Sequence, residues 1–440
     1  MQDYFHRLAD ALTAELRGGE VFTSRFSSED SDFVRFNHNQ VRQAGHVTQH
    51  ELWIDLICGP RHAAGTLTLA AEFDEDRARV AALLADLREK YQGLPEDPHL
   101  LYATEVRSTT RQGEDHLPDP TAAVAEIQKA GQGQDLVGLY AAGGIRAGFA
   151  NSLGQRNWFS THSFNFDWSF YHAADKAVKT SYAGFDWDAR QFARKVAWAR
   201  EQLEVVAKSA RTIQPGHYRI YLTPVALNDL TGLLSWGGFG LKAQRTRQTP
   251  LLKMIAGEAR LSPTVTMLEN TRDGVAPNFQ EAGFLRPDQV PLIARGTLGD
   301  CLVSPRSAKE YGVPTNGASE GEAPQSFDVA AGAVPVDDVL HRLDTGVYVS
   351  NLWYLNYSDR NACRTTGMTR FATFWVQHGQ VQGPLNVMRF DETLYRALGQ
   401  NLAGLTAERE LILDSDTYFG RSTRSSRMPG ALIEDFAFTL

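Results

Sequence analysis

GMTRFATFWVQHGQVQGPLNVMR, residues 367–389, is the stretch that decides how the second half of this chain is built. Apolar and aromatic residues line both faces of Met368 to Val376, as expected of a strand buried on both sides. His378-Gly379 supplies a tight turn and Val381 starts a return strand, so the segment reads as a buried hairpin. Working outward, Gly and Pro turns separate further short apolar runs at Thr264 to Leu268, Val290 to Ile293, Val347 to Tyr354 and Ala431 to Phe438. Many short strands with turn punctuation predict a curved, barrel-like β domain. It opens with a short strand, Tyr218 to Leu222, feeding a helix in which Thr223 caps and Pro224 occupies the first turn. Gly312 to Phe327, rich in Gly, Pro, Ser, Glu and Asn, is expected to be a mobile loop.

The first half alternates sheet and helix. The N-terminal MQDYFHRLADALTAELRGGE reads as an amphipathic helix, followed by strands at Phe22 to Phe26, Phe33 to Phe36 and His46 to Cys58. In the last of these, Leu52, Ile54 and Leu56 alternate with Trp53 and Asp55, the period of a half-buried strand. Phe73 to Lys90 repeats Val80, Leu83, Leu84 and Leu87 at helical spacing, with acids in its first turn. Asp119-Pro120 caps another helix reaching to about Lys129. A second strand block runs from Leu136 to Tyr182, where Phe164, Phe166, Trp168 and Phe170 form one core face. A helix carrying Phe192, Val196, Leu203 and Val206 ends before the Pro215-Gly216 turn. The expected organisation is α+β, with an N-terminal α+β domain over 1–212 and a C-terminal β-rich, barrel-like domain over 213–440.

Bulk properties narrow the function. At 440 residues the chain exceeds one ordinary core, and 42% hydrophobic and 10% aromatic content supports ordered structure. A net charge of -8 without a local basic patch argues against nucleic-acid binding. The first helix contains Asp3, Asp10 and Glu15, which a signal peptide does not, and no apolar run is long enough for a membrane span. Cys58, Cys301 and Cys363 are odd in number and far apart, so they form neither a disulfide framework nor a paired metal site. A soluble, cytoplasmic protein is expected.

Catalytic signatures are sparse. A hydrolytic zinc centre uses three protein ligands, often two histidines a helical turn apart with a nearby glutamate, and neither HExxH nor HExxxH occurs here. His46 and His50 lie in a strand, where four residues span roughly 13 Å, too far to share an ion. His38, His62, His162, His172 and His217 are scattered. Cys363, in SDRNACR with two arginines that favour a thiolate, is the one weak candidate for a nucleophile, whereas Cys58 and Cys301 read as inert. Gly237, Gly238 and Gly240 follow a helix and read as its terminus and turn, without the features of a phosphate cradle. Lys242, Arg245 and Arg247 read as a solvated row.

Taken together, several segments resemble the TldD/PmbA family: GVYVSNLWYL (346–355), GMTRFATFWVQHGQVQGPL (367–385), LVSPRSAKEYGVPTNGA (302–318), RMPGALIEDFAF (427–438) and the early hairpin VRFNHNQVRQ (34–43). Their order and spacing over nearly the whole chain carry the resemblance. It implies an N-terminal α+β domain, a β-rich C-terminal domain, and dimerisation around a peptide-sized cavity. In the TldD-type branch a helix of the second domain bears HExxxH and a later cysteine completes the zinc ligands. At the matching place this chain reads VALNDLTGLLSW (225–236), with Leu230 and Thr231 where His and Glu would stand and Ser235 where the second His would be. No ligand role passes to Cys363 without those histidines.

That departure points to the TldE/PmbA-type branch. The resemblance then implies a non-catalytic partner subunit of a heterodimeric zinc metallopeptidase that degrades or matures peptides. No metal or other cofactor is expected in this chain, with zinc in a TldD-type partner subunit and an unfolded peptide as substrate. The rivals are a homodimeric peptide-binding protein and a stand-alone hydrolase using Cys363.

Overall fold

The structure is a computed structural model and describes residues 1–439, so residue 440, the last of the expected second domain, lies outside the described residues. In the first half, the strands are β1 (Glu20–Asn37), β2 (Gln40–Cys58), β3 (Arg61–Thr68), β4 (Thr109–Gln112), β5 (Asp135–Asn151), β6 (Arg156–Ala173) and β7 (Lys176–Gly184). They form one seven-stranded sheet in the order β3-β2-β1-β5-β6-β4, with β7 also on β6. Helices α1 (Gln2–Ala14), α2 (Phe73–Gly93), α3 (Pro120–Ala130) and α4 (Ala189–Val206) pack against it. The cap expected at α3 is present, since Asp119 accepts a hydrogen bond from Ala122 N at 3.1 Å. Phe5, Leu8 and Leu12 of α1 share a core with Val80, Leu84 and Leu87 of α2 and with Leu52, Ile54 and Leu56 of β2.

The second half forms an eleven-stranded sheet from β8 (Gly216–Leu222), β9 (Met267–Glu269), β10 (Val290–Ala294), β11 (Thr297–Leu298), β12 (Ser326–Val329), β13 (Gly346–Asp359), β14 (Arg364–Gln377), β15 (Gln380–Pro384), β16 (Arg389–Thr393), β17 (Leu402–Leu413) and β18 (Ser425–Phe438). Strand β18 bonds β16 and also β8, so β8-β13-β14-β16-β18 closes into a ring. The fold is α+β, and the expected barrel-like element takes this five-stranded form. The quoted hairpin is β14-β15, and both its turn residues, His378 and Gly379, have φ near +50° to +70°, as a primed turn requires. Helix α5 (Pro224–Gly232) begins where sequence placed it: Thr223 accepts from Ala226 N and donates to Ser350 O at 2.7 Å, which fixes the helix start on β13.

Two expectations need correction. The separate strands Phe22 to Phe26 and Phe33 to Phe36 are one strand, β1, running through the polar SSEDSD at 27–32. Polarity did not break it because β2 and β5 pair with it on both sides, for example Glu29 opposite Gln49 and Ile145. The loop expected to be mobile, Gly312 to Phe327, is tied down. Asn316 bridges Val303 N and Cys301 O, and the buried Glu322 carboxylate accepts from Ser304 N, Ser304 Oγ and Lys242 N. A buried carboxylate held by three donors replaces the solvent such a composition normally seeks.

One apolar core spans both sheets. Phe164, Phe166, Trp168 and Phe170 of β6 join Phe192 and Val196 of α4 and, from the second sheet, Tyr221, Tyr348, Phe374 and Leu432. No helix among the described residues is long and apolar enough to cross a membrane. Because this core is shared, Phe166→Ala is expected to cost about 3–5 kcal/mol. It should lower the stability of both halves in one denaturant transition, followed by far-UV dichroism and by tryptophan fluorescence; separate transitions would contradict a shared core.

Candidate functional site

Helix α5 turns one face into the core and another into a cleft. Ala226, Leu227, Leu230, Thr231 and Leu234 are buried, and Thr231 Oγ1 is spent on Leu227 O at 2.8 Å. Val225, Asn228, Asp229, Gly232, Ser235 and Trp236 line the cleft, which has a volume of about 400 Å³ and is open to solvent. Thus Ser235 faces the cleft, whereas Leu230 and Thr231 point away from it; the positions that front it on the helix are Asn228 and Asp229. The helix ends as its glycines suggested: Gly237 has a positive φ and Gly238 N donates to Leu234 O at 2.7 Å.

The opposite wall comes from the first sheet. Asn165 and Asp167 on β6 and Lys179 to Ser181 on β7 face α5, with Asp167 and Lys179 ion-paired at 3.0 Å. Asn351 to Trp353 of β13 form one end, and Asp414, Arg424 and neighbouring serines close the other. Asp229 Oδ2 accepts from Leu352 N at 3.1 Å, and burial pushes its carboxyl up to about 6, so it exchanges a proton near neutrality. Sequence reading missed Asp229, Asp167 and Lys179, although the alternation of polar and apolar positions along 225–236 could have shown which side of α5 is open.

These side chains do not fit a zinc ion. The cleft offers from α5 a single carboxylate, already accepting a main-chain N–H, and none of its lining residues is a histidine or cysteine. Four of the histidines pair with separate carboxylates, His38 with Asp135, His46 with Asp30 and Asp32, His62 with Asp55 and Asp97, and His217 with Asp435; His162 lies 4.0 Å from Asp115, and His172 does not join any of these groups. His50 meets Ser28 at 2.9 Å, on the same strand as His46, as expected. Among the described residues no group of three or more His, Cys, Asp and Glu is placed to hold a metal.

Cys363 is fully buried, and burial pushes its thiol up to about 12, against the smaller opposing effect of Arg360. The argument from flanking arginines therefore does not hold: Arg360 is spent on the carbonyls of Trp236 and Gln248, and the apolar surroundings dominate. Lys242, Arg245 and Arg247 are exposed, as a solvated row should be.

The fold and site define a two-sheet α+β protein with an open polar cleft between α5 and the first sheet. The family model described as the PmbA/TldA metallopeptidase C-terminal domain matches residues 215–440, just over half of the chain, and the protein belongs to the PmbA/TldD family. Solved structures share the fold over the full length. They include TldE from Thermococcus kodakarensis (13% identity, TM-score 0.77, 99% of this chain and 100% of that one). Two others carry the description of putative modulators of DNA gyrase. The one from Thermotoga maritima has 14% identity, TM-score 0.76 and 99% coverage of both chains; that from Bacteroides thetaiotaomicron has 14% identity, TM-score 0.75, and covers 99% and 98%. No curated protein matches the sequence.

Two outcomes follow from the site. The folded chain holds the Asp229 proton more tightly than the unfolded chain, so this group's favourable contribution is full below about pH 4 and is lost as pH rises toward 6. Asp229→Asn, which keeps an oxygen for Leu352 N, should therefore be more stable than the parent at pH 7.5 by about 1–3 kcal/mol, with the gap closing near pH 4 in denaturant titrations. Second, Cys363 should resist a thiol reagent such as iodoacetamide in the native protein and react only on unfolding; rapid native labelling mapped to Cys363 by mass spectrometry would contradict its burial.

Proposed function

We propose that this chain is the non-catalytic subunit of a TldD/TldE-type heterodimeric zinc metallopeptidase, in the cytoplasm, with zinc in a TldD-type partner and an unfolded peptide as substrate. The observation that carries this reading is that the three motif positions hold no metal ligand, Leu230 and Thr231 being buried in the core and only Ser235 reaching the cleft, while the rest of the cleft-facing side of α5 offers Asn228, Asp229 and Gly232 and no histidine. Such a wall can position a peptide main chain by hydrogen bonds from amides and serines, but it cannot generate a metal-bound nucleophile. The likeness in fold to a protein described as TldE supports the branch. The depth of Cys363 and the loss of its thiolate work against a stand-alone cysteine hydrolase.

Co-expression with a chain of similar length bearing HExxxH tests the proposal. Native mass spectrometry should give a one-to-one complex holding one zinc, and that complex should cleave an unstructured peptide while this chain alone does not. Cleavage by this chain alone would favour the hydrolase, and a stable homodimer that ignores the zinc-bearing chain would favour a peptide-binding protein.

A further inference from the structure

The floor of the cleft extends well beyond it. On β6, Asn165 and Asp167 lie opposite Ala141 and Leu139 of β5, which lie opposite Phe33 and Arg35 of β1, which lie opposite Gly45 and Gln43 of β2. One face of the first sheet thus runs from the α5 cleft to a second trough of about 370 Å³ on β1 and β2. The segment joining β17 to β18, residues 414–424, crosses this face as a strap. Its anchor is Arg421, whose guanidinium donates to Ser163 O at 2.7 Å, Ser163 Oγ at 2.8 Å, Gly143 O at 3.1 Å and Ser31 Oγ at 3.3 Å.

Beneath the strap lies Glu29, only 4% exposed. Its Oε2 accepts from Gln49 Nε2 at 2.9 Å and Arg421 N at 3.1 Å, while its Oε1 has no hydrogen-bond partner. The strap can lie this close because residue 420 is glycine; a Cβ there would stand 2.8 Å from Glu29 Oε2. Gln49 also holds the strap through Phe419 O at 3.0 Å. Over the trough stand Tyr418 and Phe419, 83% and 88% exposed, their rings edge-to-face at 4.7 Å, and Phe33 lies on the floor. A buried carboxylate oxygen without a donor is costly to leave so, and two bare aromatic rings beside it are a second unfilled demand.

We propose that this trough binds a cationic N–H group of a peptide, a lysine or arginine side chain or the terminal ammonium, with Glu29 Oε1 accepting its hydrogen bond and Tyr418, Phe419 and Phe33 packing around it. A donor cation satisfies both demands at once, since aromatic faces attract cations and a carboxylate accepts from them. The Arg421 guanidinium offsets part of the Glu29 charge but is occupied by Ser163, Gly143 and Ser31, so it leaves Oε1 free. Selection therefore rests on the directed hydrogen bond and the rings more than on net charge. That the cation belongs to a peptide rests on the proposed function. Binding is measured on this chain alone, so it can fail while complex formation and cleavage succeed, and the reverse.

The probes are short Gly-Ser-Ala peptides, acetylated and amidated, with a single central lysine, arginine or norleucine, and the norleucine peptide with a free amino terminus. Titrated calorimetrically into the full chain, at least one cationic peptide should bind about tenfold more tightly than the blocked norleucine peptide. Which one gains identifies the source of the cation. Glu29→Gln should remove most of that difference and Phe419→Ala should narrow it. Phe419 is exposed, so that variant decides the matter if Glu29→Gln does not fold. Equal binding of all four peptides, no saturable binding of any, or a difference that survives the folded variants would overturn the proposal.

Discussion

Everything near the cleft is positioned by apolar contact between the two sheets. Helix α4 lies against the aromatic row of β6 and, through Phe192 and Val196, shares a core with Tyr221, Tyr348, Phe374 and Leu432 from the second sheet. Burying aromatic side chains from both sheets in one volume is worth far more than any surface contact between them, so the relative placement of the sheets is set by packing. Because β6 alternates, the same register that buries Phe164, Phe166 and Trp168 turns Asn165 and Asp167 outward beneath α5. A single period-two pattern thus makes both the core and the polar floor.

The second sheet contributes the opposite wall by a different device. Thr223 joins the start of α5 to β13 through Ser350 O, and Tyr357 of β13 donates to Leu233 O at 2.8 Å near the far end. A short helix pinned at both ends presents a fixed face, which is why Asp229 can sit low enough for burial to shift its carboxyl while still reaching Leu352 N. The polar groups here, Asn228, Asp229 and Ser235 on one wall and Asn165, Asp167 and Lys179 on the other, are donors and acceptors of hydrogen bonds.

Local signals in the sequence were read reliably. Asp119 and Thr223 cap the helices expected of them, and His378-Gly379 turns the hairpin. The misreadings share a cause, namely partners distant in sequence. Glu29 and Ser31 look like a break until Gln49, Ile145 and Gly143 are placed beside them. The 312–327 segment looks loose until Ser304 and Lys242 meet Glu322. Cys363 looks activated by its neighbours until the surrounding core is counted. Within the site, the polar and apolar periodicity of α5 holds the information about which face opens, but neither Asp167, Lys179 nor Glu29 announces itself without the sheet register.

The ring in the second half has one further consequence. Its first member, β8, bonds β13 on one side and β18 on the other, and β18 follows every other strand of the ring in the chain. During synthesis the ring must wait for that strand, leaving β8 with an unsatisfied edge while some two hundred residues are added after it. Nascent chains of this protein therefore pass through a long interval in which the ring is open and its edges are unpaired.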